Sequence, residues 1–333
     1  MKARTSALLL VLALFGSSLP VLAQSKDKKH DVDAIGDRRV AHRSIISQEK
    51  EIAMGKQYAT EIDHSAKMIT DPMVTEFVNR LAQNVAQNSD LTIPLTVKVI
   101  DSPELNAFAL PGGFLYVNSG LILAADEEAQ VAGVVAHEIA HVAARHWASQ
   151  MTKASLLQYA MIPLIFVPMS YPVYLGAANA LNIGIPIAFL KFSRGAEAEA
   201  DMLGIQYMYK AGYDPSAYVS FFSKVIDQER HSPGSVPKIF TDHPPTPDRI
   251  ISSEKEIQTV LPQREQYLVS RSEFDDVKTR LQTLLTVNRR GEKKEGPTLR
   301  KREPSDRTDT DTQTTTGDQN KTEDKPPVLR RRD

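Results

Sequence analysis

The chain has 333 residues, room for one large or two modest domains at ~100–200 residues each. Lys and Arg total 40 against 41 Asp and Glu, a formal net charge of -1 that lacks the electrostatic footprint of a nucleic-acid binder, so no such partner is expected. The absence of cysteine excludes thiol catalysis, cysteine zinc sites, disulfides and a lipid-bearing cysteine; any metal must be held by histidine and carboxylate.

Lys2 and Arg4 precede an unbroken apolar run from Leu8 to Phe15. Gly16-Ser17-Ser18-Leu19-Pro20 breaks it, and Val21-Leu22-Ala23 offers a small-residue cleavage site before Gln24. Residues 1–23 therefore read as a signal peptide and the protein as periplasmic or secreted. The alternative is a membrane anchor left uncleaved, although the run falls short of the ~20 residues a span needs. Residues 24–46 form a charged stretch, expected to be a mobile linker.

Ser47 to about His64 reads as an amphipathic helix, with Ile52, Met54, Tyr58 and Ile62 at helical spacing. Asp71-Pro72 opens a second helix to about Asn88, Asp as cap and Pro at the first helical position. The period then shortens: 95–100 alternates as a strand, and 107–110 and 114–117 form a hairpin around Pro111-Gly112-Gly113. One long helix is expected from Asp126 to about Ala148, with Glu127 and Glu128 in its first turn. The stretch between Lys153 and Lys191 holds no charge or histidine but is cut by Pro163, Pro168, Pro172 and Pro186. It reads as a pair of broken, buried helices, with membrane insertion as one alternative and an exposed surface, Leu156–Leu190, as a candidate peripheral membrane or envelope contact. Further helices are expected over 193–210, from Asp214-Pro215 to about Arg230, after Thr246-Pro247, and over 273–286. From 288 to 333 the chain is charged and Thr/Asp-rich, and is expected to be disordered. Residues 47–287 are left as the folded domain, α+β and predominantly helical.

Within the long helix, His137-Glu138-Ile139-Ala140-His141 places two imidazoles four residues apart. Four residues turn ~400°, so both rings share one face and can grip one ion. Glu138, beside the first, can act as general base on a metal-activated water. The pentapeptide alone recurs by chance, but Val131, Val134, Val135, Ile139 and Val142 make this helix a buried one, where unpartnered imidazoles would be costly. His146 lies nine residues past His137, roughly opposite on a continuous helix, and reads as a helix-end residue or one supporting a ligand from behind. A metzincin pattern would need Gly at Ala144 and His at Trp147. Glu197 is the better third ligand, completing a His₂Glu set, with Asp201 one turn on to orient a ligand histidine. Glu199, about 200° away, is the weaker alternative.

Four blocks together resemble the HtpX and CAAX-prenyl-protease-like gluzincin metallopeptidases, above all their soluble, exported bacterial members: 106–113 (NAFALPGG), the HExxH segment, Ser193-Arg194 through Asp201, and His243-Pro244-Pro245 with Arg249-Ile250. The likeness covers about 47–261. It implies a zincin domain holding one Zn²⁺ per chain on His137, His141 and Glu197, with Glu138 as base and Asp201 behind the ligands. It also implies a small sheet whose edge, Asn106 to Leu110, pairs with extended substrate, Asn106 and Ala107 contacting it. His243 would either stabilise the oxyanion or cap the metal in a latent form, and Arg194 and Arg249 would contact the oxyanion or the site carboxylates. Membrane-embedded relatives carry clear transmembrane helices and some periplasmic ones a helical-repeat extension; neither pattern is visible here. The resulting reading is a zinc-dependent endopeptidase acting on exported proteins, with misfolded or misassembled cell-envelope proteins as substrates. The alternatives are a non-catalytic, chaperone-like binding protein with structural zinc and a zinc hydrolase acting on a non-peptide bond.

Overall fold

The computed structural model describes residues 28–165, 191–231, 243 and 246–294. Helix α1, Gln48–Ser65, starts where the Ser47 side chain accepts from the Lys50 N–H. Helix α2, Pro72–Gln87, starts likewise from Asp71, with Pro72 in the first turn where its missing N–H is no loss. The predicted stripe of Val74, Phe77, Val78, Leu81 and Val85 is fully buried.

Four short strands form one sheet. They are β1 (Met68–Ile69), β2 (Thr96–Ile100), β3 (Ala107–Leu110) and β4 (Phe114–Asn118), in the order β1-β2-β4-β3. The sheet is mixed: β2 runs parallel to β4, from Thr96 opposite Phe114 to Ile100 opposite Asn118, while β1 and β3 are antiparallel to their neighbours. Gly112 and Gly113 make the β3–β4 turn at φ 80° and 87°, a region open to glycine at little cost. Strand β3 is thus an edge, held on one side by β4.

Helix α3 (Ser119–Ala124) leaves β4 directly, with no Gly, Pro or side-chain cap between them to announce it. Helix α4 (Glu128–Ala143) is buried at all sixteen positions. It is packed by α2, by β3 and by two later helices, α6 (Arg194–Lys210) and α7 (Ser216–His231). Gly204 permits the closest of these approaches. A Cβ there would lie 3.1 Å from the His137 backbone, so α6 meets α4 almost backbone to backbone. Helices α8 (Pro247–Thr259) and α9 (Ser272–Lys294) complete the domain.

Three expectations are corrected. The single helix over 126–148 is two: α4 ends at Ala143, and α5 runs from His146 to Ile165. Between them Arg145 takes φ 55°, a left-handed conformation costing a non-glycine residue roughly 1–2 kcal/mol. Its side chain holds the kink, donating to Glu51 Oε2 at 2.8 Å and to the Ile46 carbonyl at 2.7 Å. Second, the helix start is Glu127 without a side-chain cap; Gln130 Oε1 instead accepts from the Asp126 N–H at 2.8 Å. Third, the described part of the stretch read as a linker, 28–46, is packed against the domain. Val32 and Val40 enter the core, and buried Arg38 donates to Asp90 at 2.9 Å and to Gln206 at 2.7 Å. Charge-rich composition conceals such a segment, because its few apolar residues are the ones that face inward.

The signal-like residues 1–23, residues 24–27 of the linker reading, residues 166–190 of the uncharged stretch, and 295–333 of the tail lie outside the described residues. Within the described part, α5 exposes Leu156 and Leu157, and no described helix is long and apolar enough to cross a membrane.

Candidate metal centre

Helix α4 presents His137 and His141 on one face, and α6 brings Glu197 across from them. His137 Nε2 and His141 Nε2 are 3.1 Å apart, and Glu197 oxygens lie 3.5 Å and 3.6 Å from them. Ligands about 2.0–2.1 Å from a tetrahedral zinc ion stand ~3.3 Å from one another. The two imidazoles are thus spaced as in such a shell, Glu197 turns Oε2 toward His137 and Oε1 toward His141, and all three side chains are buried. His243 joins them, its donor atoms within 4.8 Å of the other three. Its Nδ1 is 2.9 Å from Glu197 Oε1 and its Nε2 is 3.5 Å from Glu138 Oε1.

Glu138 points into the same space. Its Oε2 accepts the Ala109 N–H at 3.1 Å, while Oε1 has no hydrogen-bond partner among the described residues. Burial raises its pKa, against the pull of nearby His243 and His137. Burial also drives His141 well below the usual histidine range, helped by the neighbouring imidazoles, which leaves it neutral as a ligand must be. His137 differs: burial lowers it, but hydrogen bonds to Asp201 and Glu197 outweigh that and carry it to about 9. Glu197 is held far below the carboxylate range, since bonds to His137 and His243 overcome its own desolvation.

Behind the ligands lies a second layer. Asp201 Oδ1 is 3.1 Å from His137 Nδ1, as its position one turn after Glu197 implied. Arg249 grips Asp201 with two bonds of 2.6 and 2.7 Å and places Nη1 3.0 Å from Glu197 Oε2. Burial would raise Asp201, but Arg249 and His137 hold it at about 2. The Tyr218 hydroxyl hydrogen-bonds Asp201 and lies 3.2 Å from His137 Nδ1. Sequence reasoning missed Tyr218, since nothing about one tyrosine among ten distinguishes it. Arg249 meets the carboxylates as expected. Arg194 is exposed at the wall of a cavity of about 540 Å³ that opens beside Glu197 and Asp201. His146, swung round by the Arg145 kink, lies with Nδ1 3.0 Å from His141 Nδ1.

Strand β3 passes over this centre. The Asn118 N–H donates to the Asn106 carbonyl, whereas the Ala109 N–H turns away to Glu138. By the alternation of an antiparallel pair, Ala107 and Ala109 direct their backbone groups to the open edge. Asn106 itself is buried, with Oδ1 unpartnered among the described residues.

A buried HExxH helix, a distant glutamate completing two histidines and a strand edge beside the carboxylate define a metallopeptidase centre of the gluzincin kind. The chain belongs to peptidase family M48, which matches residues 70–257. It is similar to the beta-barrel assembly-enhancing protease of Escherichia coli (strain K12), 30% identical over 268 residues, covering 79% of this chain and 54% of that protein. A putative beta-barrel assembly-enhancing protease of Vibrio cholerae is 32% identical over 253 residues (74% and 51%). The mitochondrial metalloendopeptidase OMA1 of Arabidopsis thaliana is 32% identical over 182 residues (54% and 36%). The chain spans about half the length of the bacterial relatives it matches.

Proposed function

We propose that the protein is a zinc-dependent endopeptidase of the exported, soluble bacterial branch of its family, with one Zn²⁺ on His137, His141 and Glu197. The observation that carries this is the cluster of buried donors, with the two imidazole Nε2 atoms 3.1 Å apart and a Glu197 oxygen within 3.5–3.6 Å of each, beside a Glu138 Oε1 that lacks a hydrogen bond among the described residues. Donor chemistry and spacing suit zinc. When bound, the ion supplies a Lewis acid for the scissile carbonyl and lowers the pKa of water toward ~7.

The chain's own residues do the rest. Glu138, anchored through Oε2 on the Ala109 N–H, takes the proton of the attacking water and passes it to the leaving amine. The open-edge backbone groups of Ala107 and the carbonyl of Ala109 accept an extended substrate as an added strand, giving affinity with little sequence preference. Asn106 fixes the start of that edge. Asp201 orients His137, and Arg249 keeps Asp201 ionised. For His243, its place among the metal donors favours a fourth-donor, latent role over oxyanion stabilisation.

The substrates are exported proteins, and the names of the bacterial relatives favour misfolded or misassembled cell-envelope proteins among them. A chaperone-like holder using exposed Leu156 and Leu157 would leave the orientation of Glu138 without a purpose. Chelation should abolish cleavage of casein and one equivalent of zinc should restore it, while Glu197→Ala should lose both metal and cleavage. Cleavage surviving chelation, or zinc retained by Glu197→Ala, would contradict the proposal.

A further inference from the structure

The two ligand histidines are supported differently. His137 Nδ1 faces a carboxylate directly, Asp201 at 3.1 Å, but His141 Nδ1 faces another imidazole, His146 Nδ1 at 3.0 Å. His146 Nε2 in turn lies 3.3 Å from Glu199 Oε2. The Glu199 carboxylate is held from the other side by the N-terminal segment: His42 Nε2 at 2.6 Å on Oε2 and Lys29 Nζ at 2.7 Å on Oε1.

A hydrogen-bond direction follows from the proposed ligand set. If His141 offers the lone pair of Nε2 to a metal, its proton sits on Nδ1. His146 Nδ1 must then accept, which places the His146 proton on Nε2, pointing at Glu199. Each link has one donor and one acceptor, so the chain is satisfied in a single tautomeric arrangement. Resting on the ligand assignment made above, we propose that His146 and Glu199 form a positioning relay for His141. It fixes the ring and its tautomer through a histidine, as Asp201 does for His137 directly. The Arg145 kink is what makes this possible, because on an unbroken helix His146 would point away from the metal face.

The same residues could be read as a second cation site, since His42, His146 and Glu199 each offer a donor atom within one small sphere. The distances favour the relay. The 2.6 Å between His42 and Glu199 is a hydrogen-bond length, well under the ~3.3 Å separating two ligands of one tetrahedral zinc. Lys29 already supplies a cation to the other carboxylate oxygen.

Zinc affinity, measured on the full chain by competition with a chromophoric chelator, tests this. His146→Leu should weaken binding about 10- to 100-fold and Glu199→Gln, a near-isosteric change, about tenfold. His146→Asn, whose Oδ1 can still accept from His141, should recover most of the loss, which mere filling of space would not do. In ¹⁵N-histidine-labelled zinc protein, the His141 Nδ1–H resonance should be present and should vanish in His146→Leu. Wild-type affinity in both His146→Leu and Glu199→Gln, or His146→Asn binding as poorly as His146→Leu, overturns the relay while leaving the zinc reading intact. A second zinc lost on His42→Ala overturns it in favour of a cation site. A wild-type chain that binds no zinc removes both.

Discussion

At the scale of single residues, the centre joins two kinds of demand. Its ligands must be neutral or anionic and deprotonated where they bind, and the groups behind them must hold that state. Arg249 illustrates the second. Its side chain is 12% exposed, and its partners Asp201 and Glu197 are buried. Replacing it with methionine leaves uncompensated buried negative charge, and breaking a buried pair in that way costs roughly 3–5 kcal/mol. Chemical denaturation of Arg249→Met should show a loss of that order without zinc, together with weakened zinc binding; near wild-type stability would mean the carboxylates find other partners. His137, Glu138 and His141 share a legible spacing along one helix, and Glu197 and Asp201 another along a second; that the two sets meet was implied by the family resemblance and not by either spacing. Tyr218 and the part played by Glu199 were not legible. Their contacts join different helices, or a helix and the N-terminal segment, and no local pattern records them.

Among the elements, α1, α2, α6 and α8 announced themselves through caps: Ser47, Asp71, Ser193 and Thr246 each accept from the third residue beyond. The hairpin did so through Gly112 and Gly113. The break at Arg145 left no such mark, because its left-handed backbone is held by Glu51 and Ile46, about a hundred residues away, and not by a local glycine. The pairing of α4 with α6 carries the metal site, since it sets Glu197 opposite the two histidines. Gly204 governs how near those helices come, so Gly204→Val should force them apart. Overpacking of this kind costs about 1–3 kcal/mol, and zinc affinity should fall although no ligand has changed. Retention of full affinity by a folded Gly204→Val would show that Glu197 follows the histidines independently of the helix contact.

For the whole molecule, one buried helix is wrapped by a small mixed sheet and by helices from far along the chain. The composition-based reading began the folded domain at 47, whereas residues 28–46 pack Val32 and Val40 into the core beneath a charged exterior. Metal and fold should be coupled, because the donors come from α4 and α6 and neither alone makes the site. At free zinc a hundred times the dissociation constant, linkage adds about 2.7 kcal/mol. For a domain of this size each kcal/mol raises Tm by about 2–4 °C. Calorimetry should therefore find the zinc form melting about 5–11 °C above the chelated form; coincident transitions would mean the site gains nothing from the ion.

The central claim is that this centre cuts peptide bonds with Glu138 as its base. The most direct measurement compares casein cleavage by wild-type protein and Glu138→Gln, each shown to carry one zinc per chain. Glu138→Gln should keep its metal and lose at least 10²-fold in rate, the scale of a general base. Equal cleavage by the two zinc-loaded proteins would contradict the account.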